Sequence, residues 1–278
     1  MNNYHTHTYR CRHAQGDVAD YVAAAAAGGL AELGFSDHCP YPDGRWRETR
    51  MDMADLPGYV AAIGAAKAAA VRDAAAGRAS PKIHAGLECE WAPDLEAFFR
   101  DEFLGRWGLD YLVVGIHLYL HKGEWRDTYQ ISRADELASF AETSCGAMES
   151  GLFSFLAHPD VFCYNWMPWD ESAVACARDI LSTSARTGVP IEINGYGMRK
   201  ARVSAPGGKR RPYPHEEFWR LASEYEVSCV VNSDAHRPVD TAANLADGRE
   251  IAKRFGLKLI ETLPSWTATP RESFPPKP

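Results

Sequence analysis

Short apolar runs alternate with longer stretches of helical composition along the whole 278-residue chain. The runs fall at 1–4, 30–35, 83–87, 111–116, 153–157, 189–193 and 227–231, with a weaker one at 257–260. Between them, 17–27, 54–76, 133–149, 171–187, 215–224 and 245–255 carry apolar residues at helical spacing. Asp17, Ser132 and Asp170 stand where a helix favours an N-cap, and Gly77 and Gly188 where it favours a stop. A repeated strand-helix unit predicts an α/β protein with a parallel sheet, either closed as a barrel or laid open and doubly wound.

The residues that end the runs separate the two architectures. In chain order they are His5 and His7, Asp37 and His38, Glu88, His117, His158 and Asp160, Glu192 and Asn194, and Asp234 and His236. An open sheet gathers ligands at one switch point, whereas a barrel draws them from the carboxyl ends of many strands. Seven runs that all end in ligand chemistry therefore predict a closed or nearly closed barrel with its site at that end. The chain has neither a G-x-G-x-x-G nor a Walker A sequence, and no repeat beyond the strand-helix unit. No linker precedes the Pro-rich tail at about 264–278, so one domain over 1–278 is expected.

Composition narrows the function classes. A hydrophobic share of 46 % suffices for a large core, and the net charge of −7 repels polyanions unless a local centre reverses the sign. Disorder and a general nucleic-acid-coating role are excluded on this basis. No window approaches the roughly 18 uninterrupted apolar residues of a membrane span. The first residues lack the basic and apolar regions of a secretory signal, and a cytoplasmic setting is expected. Seven cysteines without a C-x-x-C pair predict reduced thiols, so any metal ligands should be nitrogen and oxygen.

His5-Thr6-His7 puts two imidazoles on one side of an extended segment. Alone it is weak, because histidines also cap strands and make ordinary hydrogen bonds. His13 joins the pair if the chain folds back after Thr8. Convergence is stronger: His5, His7, His13, His38, His117, His158 and His236 all lie at or just after strand ends, together with Glu88 and Asp234. His84, inside its run, reads as a core or flank residue, and His121 and His215 as solvated. Nine ligands are too many for one four-coordinate zinc and suit two or three divalent ions sharing a carboxylate. Three dications bring +6, of which Glu88, Asp234 and a hydroxide remove about 3, leaving a centre of roughly +3 that a phosphate dianion nearly balances.

The ordered set His5-Thr6-His7, His13, Ser36-Asp37-His38, Gly86-Leu87-Glu88, Gly115-Ile116-His117, Ala157-His158-Pro159-Asp160 and Asn232-Ser233-Asp234-Ala235-His236 resembles the polymerase and histidinol phosphatase (PHP) superfamily. Cys11-Arg12-His13-Ala14, Gly197-Met198-Arg199-Lys200 and Tyr213-Pro214 bring the chain nearest to its stand-alone histidinol-phosphate phosphatases. The resemblance implies a distorted (β/α)7 TIM-like barrel with a trinuclear centre of two to three divalent ions, zinc, iron or manganese. It places His5, His7, Glu88 and Asp234 on a first metal, His13, His38 and His236 on a second, and Glu88, His117 and His158 on a third. It further implies a metal-dependent phosphomonoesterase that hydrolyses L-histidinol phosphate, in histidine biosynthesis, by in-line attack of a metal-bridging hydroxide. The partner is then a small phosphorylated substrate, with no membrane and no nucleic acid, and the oligomeric state stays open.

Arg199 matches the arginine that clamps phosphate in that family, a role suited to a planar bidentate donor. Lys200, Arg202, Lys209, Arg210 and Arg211 read as a solvated basic loop. Asp160 is expected either to accept the substrate ammonium or to orient His158. Trp46, Trp91, Trp125, Trp166, Trp169 and Tyr196 are expected to pack the rim, one or two of them walling the pocket. Two departures bear on the substrate. Asn194-Gly195-Tyr196 replaces a threonine-containing turn, and Cys163 stands near a position where many relatives carry a basic residue. The alternatives are a PHP phosphoesterase for another small ester, a nuclease, and a non-catalytic metal-binding module. The net charge and the single basic loop argue against the nuclease.

Overall fold

The computed structural model describes residues 1–263, and the Pro-rich tail at 264–278 lies outside the described residues. Eight parallel strands follow one another in chain order around one sheet: Asn2–Asn3, Glu32–His38, Lys82–Cys89, Tyr111–Val114, Phe155–Leu156, Ile191–Asn194, Ser228–Asn232 and Lys258–Leu259. The sheet curls until its first and seventh strands meet. His7 N–H donates to Ala235 C=O at 2.9 Å and Ala235 N–H to His5 C=O at 3.2 Å, closing the barrel at its carboxyl end. At the opposite end the short eighth strand continues the sheet from Ser228 and Cys229, and Asn2 Nδ2 reaches Glu261 C=O at 2.6 Å. This is the distorted TIM-like barrel expected, with the weak eighth run as a short strand.

Strand side chains alternate between the two faces, and the buried residues divide accordingly. Leu33, Phe35, Ile83, Leu87, Leu112, Val114, Leu156, Ile191, Ile193, Cys229 and Val231 pack outward in one large core with the helices. Tyr4, Tyr111, Val113, Phe155, Ala157 and Val230 form a separate cluster inside the barrel. Tyr111 crosses this interior, its hydroxyl within 2.7 Å of Tyr4 C=O and 3.0 Å of Phe35 C=O. Gly86 makes room for it, since a Cβ there would lie 2.6 Å from the Tyr111 ring.

The long helices Val18–Ala27, Leu56–Ala75, Ala134–Glu149, Glu171–Thr187 and Leu245–Arg254 sit where periodicity predicts, as does the shorter Glu216–Ala222. Asp17 and Asp170 cap their helices as expected, and Gly188 ends Glu171–Thr187 in the left-handed region. Ser132 does not cap: Ala134–Glu149 starts one residue later, and the Glu136 carboxylate accepts from the Ser132 and Arg133 N–H groups.

Three further expectations give way to tertiary packing. His121 and His215, expected in solvent, are each only 8 % exposed. His121 lies on the hairpin Leu118–His121 with Glu124–Asp127, packed on the helix Ala134–Glu149 and hydrogen-bonded to Ser139. The basic segment is no open loop. It forms the hairpin Val203–Ala205 with Gly208–Arg210, and Arg210 donates to the Cys163, Trp166, Arg211 and Pro212 carbonyls. An unforeseen π-helix, Phe99–Arg106, buries Phe99, Phe103 and Leu104, its widened ladder marked by Trp107 N–H donating to Glu102 C=O.

Interior and exterior glycines should respond oppositely to a methyl group. Gly86→Ala drives a Cβ into Tyr111 and should lower unfolding free energy by about 1–3 kcal/mol. Gly58→Ala, in open space on Leu56–Ala75, should be neutral or raise it by up to about 1 kcal/mol. Urea titrations compare the two, and equal effects would contradict the interior placement of Tyr111.

Candidate metal centre

The inward register that carries the apolar plug changes chemistry toward the carboxyl end. His38 and Glu88 are direct partners in the register of two adjacent strands. His5 and His7 follow the first strand, His117 and His158 the fourth and fifth, and Asp234 and His236 the seventh. His158 and Asp234 take left-handed backbone, with φ of 32° and 50°. Non-glycine residues rarely adopt that conformation, and here it turns both side chains into the cluster.

All nine residues singled out as ligands converge. Glu88 Oε2 lies 3.3 Å from His5 Nε2, 3.5 Å from His7 Nε2 and 3.1 Å from His38 Nδ1, while Oε1 lies 3.2 Å from His158 Nε2. Asp234 Oδ1 lies 3.6 Å from His5 Nε2, 3.2 Å from His7 Nε2 and 3.3 Å from His236 Nδ1. His13 and His236 face each other through Nε2 at 3.2 Å, and His117 packs on His158 with ring centroids 4.7 Å apart. His5–His7–Asp234, His7–His38–His236 and His38–Glu88–His117 each present donor atoms close enough for one cation. The first matches part of the set that family resemblance assigns to one metal. The other two cut across its partition, because His38 lies between His7 and Glu88.

A second layer orients these groups. His5 Nδ1 donates to Glu192 at 2.8 Å and His117 Nδ1 to Glu90 at 2.8 Å, while His13 Nδ1 meets Cys11 C=O at 2.9 Å. Each bond fixes the proton on Nδ1 and leaves Nε2 as a donor for a cation. Glu192 also accepts from His158 N–H, Asn194 and Asn232, and Glu90 from His117 N–H, Leu118 N–H and Arg50. Glu192 stood among the strand-end residues but without this role. Glu90 lies two residues beyond Glu88 and could have been read from that spacing, whereas Arg50 left no signal.

Inside this shell, His5 Nε2, both His7 nitrogens, His38 Nδ1, His158 Nδ1, Glu88 Oε2 and Asp234 Oδ1 are buried without a hydrogen-bond partner. So many unpaired donors and acceptors in one place are costly unless a cation ties them together, and an N/O set with two carboxylates fits divalent ions. In a further cluster, His7–Cys11–Asp37, His7 alone shares this feature. Asp37 accepts from Thr8, and the Cys11 thiol meets Thr8 C=O.

Burial alone would raise the Glu88 and Asp234 pKa values, but the surrounding imidazoles hold both well below the carboxylate range. Burial lowers His38 and His236 well below the usual histidine value, helped by Arg50 and His7 respectively. His7 moves the other way. Against its burial, the neighbouring Asp234, Asp37 and Glu88 carboxylates raise it to about 9, and Glu192, Asp234 and Glu88 raise His5 well above the usual histidine value.

Above this cluster opens a cavity of about 330 Å³, floored by His13, His38, Glu88, His117, Asp234 and His236 and walled by Tyr129, Tyr196, Tyr213, Arg50, Lys200 and Asp127, with Thr49 and Leu118. Of the aromatic residues expected at the rim, Tyr196 alone lines it, stacked on His236 at 4.8 Å. Trp46 and Trp125 pack against each other, and Trp169 stacks on His215. Arg199 does not line the cavity. Its guanidinium donates to Ser233 C=O at 2.8 Å, Asp234 C=O at 3.1 Å and Asn244 at 3.2 Å. Asp160 is fully buried outside it, accepting from His215 N–H at 2.6 Å and Trp219 Nε1 at 3.1 Å, so it offers nothing to a ligand in this cavity.

Comparison with known proteins agrees with this picture. The PHP domain model matches residues 3–195. A Deinococcus radiodurans protein named "Probable histidinol-phosphatase" is 31 % identical over 271 residues, 92 % of this chain and 94 % of its own. The histidinol phosphate phosphatase (HISK) of Lactococcus lactis subsp. lactis, solved with zinc, L-histidinol and phosphate, superposes with TM-score 0.72 at 15 % identity, covering 94 % of this chain and 96 % of that one. A hisK protein from Listeria monocytogenes superposes with TM-score 0.65 at 20 % identity, over 89 % and 99 %. The solved structures share the fold. Asp234 and His236 lie beyond the matched domain segment, and the barrel closure at Ala235 carries them back to it.

Metal uptake by stripped protein should release protons. The carboxylates raise the His5 pKa well above its usual value and that of His7 to about 9, so both should carry protons in the metal-free cluster at pH 7.5; a cation needs their neutral forms, so affinity should rise with pH. Titrating zinc into stripped protein at pH 7.5 in a weakly buffered indicator solution should release on the order of one to two protons per cluster. Uptake without proton release, or with pH-independent affinity, would contradict the arrangement.

Proposed function

The chain belongs to the PHP domain family, and on that premise we propose that it is a metal-dependent phosphomonoesterase whose substrate is L-histidinol phosphate. The observation that carries the reading is the convergence of seven histidines, Glu88 and Asp234, with unpaired buried nitrogens and oxygens facing one another, beneath a cavity sized for a small ester. The 31 % identical relative named as a histidinol-phosphatase and the zinc, L-histidinol and phosphate held by the Lactococcus protein support the substrate.

Divalent ions at these ligands would supply the charge that binds a phosphate dianion and the Lewis acidity that makes water nucleophilic near neutral pH. The chain does the rest. Neutral imidazoles in place of further carboxylates keep the centre cationic inside a protein of net charge −7. Glu192 and Glu90 hold the His5 and His117 rings in the tautomer that points Nε2 inward. Tyr129, Tyr196 and Tyr213 wall a cavity of small-molecule size, which favours a small substrate over a polymer.

Histidinol phosphate also carries an ammonium group. Apart from Glu88 and Asp234, Asp127 is the cavity-lining carboxylate among the described residues, in place of the buried Asp160. It accepts from Tyr129 N–H at 2.8 Å and Gln130 at 3.3 Å, which fixes it at the rim.

Phosphate release from L-histidinol phosphate should exceed that from other phosphomonoesters by orders of magnitude in kcat/KM on metal-loaded protein. Asp127→Asn should raise KM for L-histidinol phosphate roughly 10-fold or more, as the loss of a charged hydrogen bond does, and leave an amine-free ester unaffected. Preference for another ester would remove the substrate assignment and keep the chemistry, whereas no release from any phosphoester would remove both.

A further inference from the structure

A second cavity, of about 560 Å³, lies between the hairpin Val203–Ala205 with Gly208–Arg210 and the helices Glu216–Ala222 and Leu245–Arg254. It shares no lining residue with the cavity over the histidine cluster. Its lining is of two kinds. Arg202, Lys209 and Arg211, on and beside the hairpin, are exposed and, among the described residues, pair with no carboxylate. Ile251 and Phe255, at the end of Leu245–Arg254, add apolar surface together with Pro214. The carboxylates of the lining are already engaged, Glu216 with Arg220 at 3.2 Å and Arg254 at 2.6 Å, and Glu217 with Arg220 at 3.6 Å. Two other lining residues, Arg210 and His215, each bury a nitrogen without a hydrogen-bond partner, Nε and Nδ1 respectively, and His215 is only 8 % exposed. Burial, and then the Arg210 charge, lower the His215 pKa to about 4, and burial lowers that of Arg210. Positive charge collects here beyond what the local carboxylates offset, in a chain of net charge −7.

We propose that this cavity is a second ligand site, for a nucleoside phosphate, with the phosphates on Arg202, Lys209 and Arg211 and the flat base against Phe255 and Ile251. The inference stands apart from the phosphomonoesterase reading, since it uses none of that site's residues. Guanidinium forks match phosphate oxygens bidentately, and cations without a carboxylate partner have no ion pair to give up on binding. The volume falls in the range of small-molecule sites and exceeds what a lone phosphate fills, while the apolar surface asks for more than an inorganic anion. Three unpaired cations around one short hairpin are too few for a groove that tracks a nucleic-acid backbone. Arg210 holds the hairpin in place, donating to the Cys163 and Trp166 carbonyls at 2.7 and 3.0 Å, so the cationic side is arranged before a ligand arrives.

The test uses metal-loaded full-length protein in excess magnesium, which keeps the probe from stripping the centre, with metal content by elemental analysis and fold by circular dichroism. Calorimetry measures binding of ADP beside its fragments pyrophosphate and adenosine, so no turnover enters the readout. ADP should bind more tightly than either fragment. Arg202→Gln combined with Arg211→Gln should weaken ADP roughly 10- to 100-fold. Phe255→Leu, which keeps apolar bulk and removes the ring, should weaken ADP and leave pyrophosphate unchanged. Arg78→Gln combined with Arg106→Gln removes the same charge from ion pairs elsewhere on the surface and should leave ADP binding unchanged. Absence of ADP binding, or equal loss in the two double variants, would overturn the site. Pyrophosphate binding as tightly as ADP would overturn the nucleoside assignment. ADP binding that disappears from metal-stripped protein yet survives the Arg202 and Arg211 substitutions belongs to the metal centre and would overturn the proposal as well.

Discussion

A parallel sheet that closes on itself has to sort its side chains between the axis and the helices, and the inward register of this barrel is the constraint on which the rest depends. Below, Tyr4, Tyr111, Val113, Phe155 and Val230 fill the axis as an apolar plug. Above, His38 and Glu88 hold the same register, joined by His5, His7 and Asp234 where the first and seventh strands meet. A slip of one residue in any strand would exchange its inward and outward sets, exposing ligands to the helices and driving leucines and valines into the axis. Fold and site are therefore specified together, and Tyr111 beside Gly86 belongs to the scaffold of the centre as much as to the core.

Electrostatics follow from that packing. Fully buried imidazoles and carboxylates cannot all be satisfied by one another, and the unpaired atoms of His5, His7, His38, Glu88 and Asp234 show where the balance fails. The second layer does not neutralise the centre but orients it. Glu192 and Glu90 take the outer nitrogens of His5 and His117, and Arg50 in turn meets Glu90. With divalent ions bound, this layering would let a protein of net charge −7 present the local anion site that the proposed function requires. It also gives Arg199 a reason to turn onto the backbone rather than into the cavity, since the segment carrying Asp234 and His236 takes unfavourable backbone and gains from a guanidinium across its carbonyls.

Much of this is legible in the amino-acid order, and the parts that are not share a cause. Apolar runs place all eight strands of the barrel, and seven of them end in the polar residues that the structure brings together, with His13 reached only through the turn after Thr8. Asp17, Asp170 and Gly188 act through local chemistry and are read correctly. What escapes depends on contacts distant in sequence. Arg50 meets Glu90 across forty positions, His121 is buried by a hairpin against a helix, and Arg210 is drawn onto the Cys163 carbonyl. Arg199 and Lys200 show the limit most clearly. Neighbours on a helix point about 100° apart, so motif order identifies the pair but not which of them faces the cavity.

The central claim is that the inward register assembles a cation cluster from neutral imidazoles and two carboxylates. Anomalous diffraction from crystals of the protein, collected on either side of the zinc, iron and manganese absorption edges, tests it directly. The account predicts two to three peaks inside the ring formed by His5, His7, His13, His38, Glu88, His117, His158, Asp234 and His236, with Nε2 of His5 and of His117 directed at them. An ordered cluster without anomalous signal, or metal bound only elsewhere on the chain, would contradict it.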